Sequence, residues 1–284
     1  MKSQTHTTAQ SITPELRAWV VEQASAGHPP EVVLQSMLAS GWQEEVAIAA
    51  LECSIEQHIA TVLPPEVPVP VLALQEQPLY LDLGDRRVTV LSVLHKPQVV
   101  VLGDFLSAEE CDALMDAARP RLARSLTVAS KTGGEEVNAD RTSNGMFFTR
   151  GENAVVQRIE ARLARLTQWP LENGEGLQIL QYGPGAQYRP HYDYFDPKEP
   201  GTPTIVKRGG QRVATIIMYL AEPEKGGGTT FPDVGLEVAP KRGNAVFFSY
   251  TRAHPSSQSL HGGAPVIEGE KWIATKWLRE REFV

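Results

Sequence analysis

The chain has little of what marks a secreted, membrane-bound or nucleic-acid-binding protein. Among its 284 residues only Cys53 and Cys111 are cysteine, far apart and outside any metal-ligand spacing. A disulfide framework or zinc knuckle is therefore not expected, and a reducing compartment suits the protein. No run of about 18 uncharged apolar residues occurs. The amino terminus, MKSQTHTTAQS, is polar with no apolar stretch behind it, so we expect a cytoplasmic protein with no membrane partner. Positive charge is also short. The formal net charge is −7, which argues against a general phosphate-binding surface and so against a nucleic-acid partner. Gly226-Gly227-Gly228 lacks the spaced glycines and lysine-hydroxyl ending of nucleotide loops and reads as a tight turn. What is present fits an ordinary enzyme: 42% hydrophobic and 21% charged residues are near globular averages. The length suits one catalytic domain with a small accessory unit.

Composition divides the chain into residues 1–62, a small three-helix accessory domain; 63–78, a proline-rich linker; and 79–284, the catalytic domain. Thr13-Pro14 pairs a capping hydroxyl with a proline at the first helical position, and Leu16, Val20 and Ala24 follow at helical spacing until Gly27. Pro29-Pro30 opens a second helix through Val33 and Met37, closed by Gly41. A third carries Ile48, Leu51, Ile55 and Ile59 on one stripe, expected to face a small shared core. Prolines 64, 65, 68 and 70 cannot continue a helix and read as an extended spacer. The Met37-Leu38-x-x-Gly41-Trp42 turn loosely resembles ubiquitin-associated-type three-helix modules. Such a unit recruits a protein partner or simply covers a sheet edge.

Beyond the spacer the pattern turns to strands. Tyr80 to Leu83 and Arg87 to Leu91, split by Gly84-Asp85, predict a hairpin, and Val99 to Leu102 a further strand. Ser107 to Glu110 is a capping box opening a helix with Leu114, Met115 and Ala118 inward. A second helix over Asn153 to Leu166 carries Val156, Ile159, Leu163 and Leu166 on its apolar side. Strand-length segments then follow at 177–182, 213–220, 244–249 and 271–278 with no helix between them. That order fits an α+β, mainly β fold built on a double-sheet barrel better than a doubly wound one.

The chemistry concentrates in His191-Tyr192-Asp193, His261 and Lys271. Two imidazoles and a carboxylate can occupy one face of a divalent ion and leave the opposite positions open. Residues two apart on a strand point the same way, so His191 and Asp193 can reach one ion. For the third ligand His254 competes with His261. His254 lies in a polar Pro/Ser segment, whereas His261 precedes Gly262-Gly263, where backbone can pack close to a metal, and we favour it. Lys271, Ile273, Thr275 and Trp277 alternate onto one face, which puts the lysine among apolar neighbours. A buried ammonium is costly unless paired, and a dicarboxylate would pair it.

Seven blocks together resemble the catalytic domain of the prolyl 4-hydroxylases, within the iron(II)- and 2-oxoglutarate-dependent dioxygenases. They are FLSAEECDAL, ADRTSNGMFF, LQILQYGPGAQYRPHYDYF, GGQRVATIIMYL, GGGTTFP, KRGNAVFF and HGGAPVIEGEKWIATKWL, in family order from Val99 to Leu278. The resemblance implies a double-stranded β-helix (jelly-roll) core with supporting helices. It also implies Fe(II) on His191, Asp193 and His261, with Lys271 gripping the distal carboxylate of 2-oxoglutarate. Tyr182 matches a tyrosine near the co-substrate, and Thr215 and Tyr219 sit where they can face the same pocket. Arg141, Tyr188, Arg212 and Trp277 match positions around a peptide substrate. The implied reaction consumes O2 and 2-oxoglutarate, gives succinate and CO2, and hydroxylates proline in a peptide or protein, with ascorbate as reductant. Asp193 favours hydroxylation over halogenation, because related halogenases carry a small residue there. Hydroxylation of a free amino acid or small molecule, or a non-catalytic scaffold, are the alternatives. Residues 130–139, SKTGGEEVNA, resemble the family's loop that folds over bound peptide, or form an inert surface loop.

Overall fold

A computed structural model describes residues 10–125, 127–128, 134–136 and 140–284. Most of the SKTGGEEVNA segment therefore lies outside the described residues. The chain forms two compact units, Met1–Pro65 and Glu66–Val284. Among the described residues no helix is long and apolar enough to cross a membrane.

The first unit holds three helices, α1 (Pro14–Ser25), α2 (Pro30–Ala39) and α3 (Glu44–Val62). Thr13 caps α1, its Oγ1 accepting from Leu16 N at 3.3 Å. Leu16, Val20, Met37, Ala47 and Ala50 form the core, with Trp19 and Trp42 packed at its edge. The expected stripe of α3 is met in part: Leu51 and Ile55 pack against this core, but the fully buried residues are Ala47, Ala50 and Ser54, while Ile48 and Ile59 are each 38% exposed. Small side chains let α3 lie close against α1, which leaves Ile48 and Ile59 outside the contact.

The second unit is built on a nine-stranded antiparallel sheet. Its order is Tyr80–Asp82, Arg87–His95, Gln98–Gly103, Ala245–Ser249, Arg212–Ala221, Lys271–Arg279, Leu177–Tyr182, Asn144–Phe148 and Ala123–Arg124. A smaller sheet, ordered Leu236–Val238, Thr229–Phe231, His261–Gly263 and Tyr188–His191, supplies the facing layer. Residues 67–74 lie on this unit: Val67 N donates to Thr251 O at 2.8 Å, and Leu72 is buried in the main core.

The central strands are buried on both faces, which explains why they read as continuous apolar runs. Ala214, Ile216, Met218 and Leu220 face the helix side, with Trp272, Ala274 and Leu278 of the next strand. Helices α4 (Ala108–Ala118) and α5 (Ala154–Thr167) cover that side. Ser107 and Glu110 close the predicted capping box on α4, and α5 buries Val156, Ile159, Leu163 and Leu166 as its spacing requires. Lys276 also points to this side, where its Nζ meets Glu160 Oε1 at 2.5 Å. The alternate residues Ile217, Tyr219 and Ile273 face the smaller sheet. The jelly-roll expected from the sequence is thus realised, and its two sheets enclose the site.

Candidate metal and co-substrate site

The smaller sheet brings the two histidines together, His191 pairing with His261 across antiparallel strands. Gly262 permits this approach, since a Cβ there would stand 2.9 Å from Tyr188 O. Asp193 lies two residues past the end of its strand, so the chain bend, not strand alternation, delivers its carboxylate. Its Oδ1 is 3.5 Å from His191 Nε2 and its Oδ2 3.4 Å from His261 Nε2. One ligand atom from each residue lies within 4.8 Å of the others.

The tautomers follow from the hydrogen bonds. His191 Nδ1 is 2.8 Å from Arg189 O and His261 Nδ1 3.0 Å from Ser259 O. A carbonyl only accepts, so each Nδ1 carries the proton and each Nε2 presents a lone pair to the centre. Burial opposes the Asp193 charge, but His261 and His191 hold its carboxyl well below the usual range. Burial, then the neighbouring His261, lowers His191 in turn. Three acceptors thus converge without a donor among them, a set that fits a divalent cation. His254 is elsewhere: its Nδ1 accepts from Ser256 N at 3.1 Å and caps a short turn.

Thr215 lines the inner pocket with Tyr182 and Lys271. Its hydroxyl donates to Asp193 Oδ2 at 2.7 Å and meets the Tyr250 hydroxyl at 3.2 Å. Both are buried. Tyr219 stands one step further back, donating to Thr229 Oγ1 at 2.8 Å, and Thr229 lines the inner pocket beside Tyr182 and Lys271. Lys271 is 3% exposed, with Tyr182 and Tyr219 rings 5.7 and 5.8 Å from its Nζ. No carboxylate pairs with it among the described residues, and burial alone pushes its ammonium down to about 8. Gly227 (φ +72°) passes close by, and a Cβ at that position would stand 3.2 Å from Lys271 Cδ.

The site opens into an outer pocket of about 370 Å³ in which Arg141, Tyr188, Arg212 and Trp277 all form wall. Arg212 makes a two-pronged ion pair with Glu175, Nε to Oε1 at 2.6 Å and Nη2 to Oε2 at 2.9 Å, and lies 4.0 Å over the Trp277 ring. Arg279 joins the same carboxylate at 2.9 Å. Arg141 reaches Gln178 at 2.7 Å, and Tyr188 stacks on His191 with ring centres 3.7 Å apart. Thr229, Tyr250 and Glu175 were not singled out from the sequence. Thr229 stood within the GGGTTFP block and was within reach; Glu175 and Tyr250 act through partners distant in the chain and carried no local signal.

A family model for the 2OG-Fe(II) oxygenase superfamily matches residues 177–279. Prolyl 4-hydroxylase 5 of Arabidopsis thaliana is 42% identical over 221 residues, covering 70% of this chain and 74% of that protein. Prolyl 4-hydroxylase 1 of the same plant is 43% identical over 218 residues, covering 71% and 75%. The chain belongs to the prolyl 4-hydroxylase family. Among solved structures, a viral collagen prolyl hydroxylase from Paramecium bursaria Chlorella virus-1, in complex with 2-oxoglutarate, superposes with a TM-score of 0.50. It is 31% identical and the match covers 64% of this chain and 95% of that one. As a prolyl 4-hydroxylase-family member the protein is an iron(II)- and 2-oxoglutarate-dependent dioxygenase, and the donor set at His191, Asp193 and His261 fits that iron.

Proposed function

We propose that this protein hydroxylates prolyl residues in a peptide or protein, with succinate and CO2 as co-products. The observation that carries the reading is the pairing of two unlike ends in one pocket. At one end three acceptors converge; at the other a buried ammonium has no carboxylate partner among the described residues. A molecule that chelates a cation at one end and carries a carboxylate at the other satisfies both, and 2-oxoglutarate is such a molecule.

In this reading His191, Asp193 and His261 hold the iron, and Lys271 binds the distal carboxylate of the co-substrate. The iron with bound 2-oxoglutarate and O2 supplies the oxidising power that converts a C–H bond to C–OH. The remaining work belongs to the protein. Thr215 occupies a lone pair of Asp193 and fixes the rotation of that carboxylate. Tyr219 orients the Thr229 hydroxyl at the pocket wall. Ile217 and Ile273 exclude water from the inner end. Arg141, Tyr188, Arg212 and Trp277 shape the outer wall against which a peptide lies. Ascorbate as reductant, a cytoplasmic location, and an accessory role for the first unit complete the proposal.

Incubation with Fe(II), 2-oxoglutarate, ascorbate and either proline-rich peptides or free proline tests it by mass spectrometry. A gain of one oxygen on the peptide is expected. Oxidation of the free amino acid alone would overturn the peptide reading, and absence of succinate from every mixture would overturn the oxygenase role.

A further inference from the structure

One stretch of the outer pocket wall, residues 192–199, has a chemistry the reaction itself does not require. Tyr192 and Tyr194 stack with ring centres 4.8 Å apart, and Asp196 and Glu199 line the same pocket. Among the described residues no lysine or arginine forms an ion pair with Asp196 or Glu199. The two arginines of the pocket do not fill that role. Arg212 is held by Glu175, a carboxylate it shares with Arg279, and Arg141 is anchored to Gln178 and Ser143.

Asp196 Oδ1 accepts from Lys198 N at 2.9 Å, which leaves its charge without a cationic partner among the described residues. Aromatic faces bordered by such carboxylates form a site for a cation, the rings contributing their quadrupoles and the carboxylates their charge. Pro255 and Ile205 stand in the same pocket and offer apolar surface to an alkyl stem. We infer that the outer pocket carries a subsite for a lysine or arginine side chain flanking the target proline, formed by Tyr192, Tyr194, Asp196 and Glu199. The enzyme's preferred substrate is then a basic proline-containing segment. This deepens the prolyl-hydroxylation reading and rests on it. The charge of the chain agrees: residues 1–65 hold seven Glu against Lys2 and Arg17, a net of 2 − 7 = −5 out of −7 overall. A net negative chain attracts a cationic substrate rather than repelling it.

The test uses the full chain and blocked peptides with one central proline, in which a flanking position is lysine, norleucine or glutamate, scanned on both sides. Binding is read by tryptophan fluorescence under argon with Fe(II) and 2-oxoglutarate, and hydroxylation by mass in air. At one flanking position lysine should bind about tenfold more tightly than norleucine, and glutamate more weakly still. The same order should appear in KM with kcat little changed, and the advantage should shrink as salt rises. In the Asp196→Asn/Glu199→Gln variant, which leaves the fold's buried contacts alone, the lysine advantage should fall to about twofold or less. Equal binding of the three peptides, or a lysine preference that survives that variant, overturns the subsite. The expected binding order without any oxygen gained would uphold the subsite and sink the hydroxylation reading. Oxygen gained equally by all three peptides would do the reverse.

Discussion

The two ends of the catalytic pocket treat positive charge in opposite ways. At the inner end Lys271 is buried beside tyrosine rings with no counter-ion among the described residues, and its ammonium is pushed down to about 8. At the outer end Arg212 is locked to Glu175 by two hydrogen bonds, and Arg279 shares the carboxylate. A cation left without a partner is held in readiness for a ligand's charge. A cation already paired contributes shape, here a flat guanidinium laid over Trp277. The difference separates recognition of the co-substrate by charge from recognition of the substrate by surface.

The largest test removes the feature both ends depend on. His191→Ala should abolish hydroxylation and weaken Co(II) or Mn(II) binding by calorimetry, by more than the roughly 10- to 100-fold that loss of an outer-sphere partner costs. Unchanged metal affinity would break the comparison at its root. Lys271→Ala comes next and acts on the inner end alone. The KM for 2-oxoglutarate should rise about 100-fold or more, the scale of truncating a buried charge partner, with metal affinity unaltered; equal loss of both would make Lys271 structural. The pH dependence has a definite sign. Burial lowers the ammonium to about 8, so below that pH the lysine is charged before the anion arrives. Above it, binding must take up a proton. The Kd for 2-oxoglutarate, followed by tryptophan fluorescence, should therefore be flat below pH 8 and rise about tenfold per unit above it.

The inner end was also the more legible of the two in the sequence. Lys271, Ile273, Thr275 and Trp277 alternate on one strand, and a period of two survives any detail of packing. The metal residues were legible as types and blocks, although Asp193 arrives by a chain bend beyond its strand. The outer end depends on residues 37 and 104 positions apart, Glu175 with Arg212 and with Arg279, and such pairings leave no local period to read. Thr215 illustrates the limit: its strand position puts it at the inner pocket, but only the folded structure shows its hydroxyl bonded to Asp193. In α3 the same limit narrowed a prediction. Leu51 and Ile55 of the expected stripe pack against the core, but the close approach to α1 gives the fully buried positions to Ala47 and Ala50 and leaves Ile48 and Ile59 exposed.

Glu175→Gln acts on the outer end and should leave the inner one intact. Burial opposes the Glu175 charge, but Arg212 and Arg279 hold its carboxyl below the ordinary value. The amide keeps the shape and removes the charge, leaving two guanidinium groups without their carboxylate. We expect the peptide KM to rise about tenfold and unfolding stability to fall by about 3 kcal/mol, with the KM for 2-oxoglutarate unchanged. Titration of both substrates with the one variant, alongside denaturant unfolding, checks the division. A matching rise in both KM values would show that the two ends are not separable.

The smallest expected effect lies between the ends. Asp193 is ionised and can only accept, so the Thr215 hydroxyl donates to its Oδ2. The same hydroxyl can then only accept from Tyr250, 3.2 Å away, which fixes the direction of the whole relay. Tyr250→Phe deletes one hydroxyl and keeps the ring that packs against Phe248. The Thr215 donor stays in place but loses the contact that orients it. Metal affinity should fall about threefold, against about tenfold for Thr215→Val, which removes the bond to Asp193 itself. The visible absorption of the Co(II)-loaded protein provides the finer readout, because a rotated carboxylate changes the ligand field even where affinity barely moves. If Tyr250→Phe were as damaging as Thr215→Val, the phenol would be acting on the metal centre directly and the relay would have the wrong order.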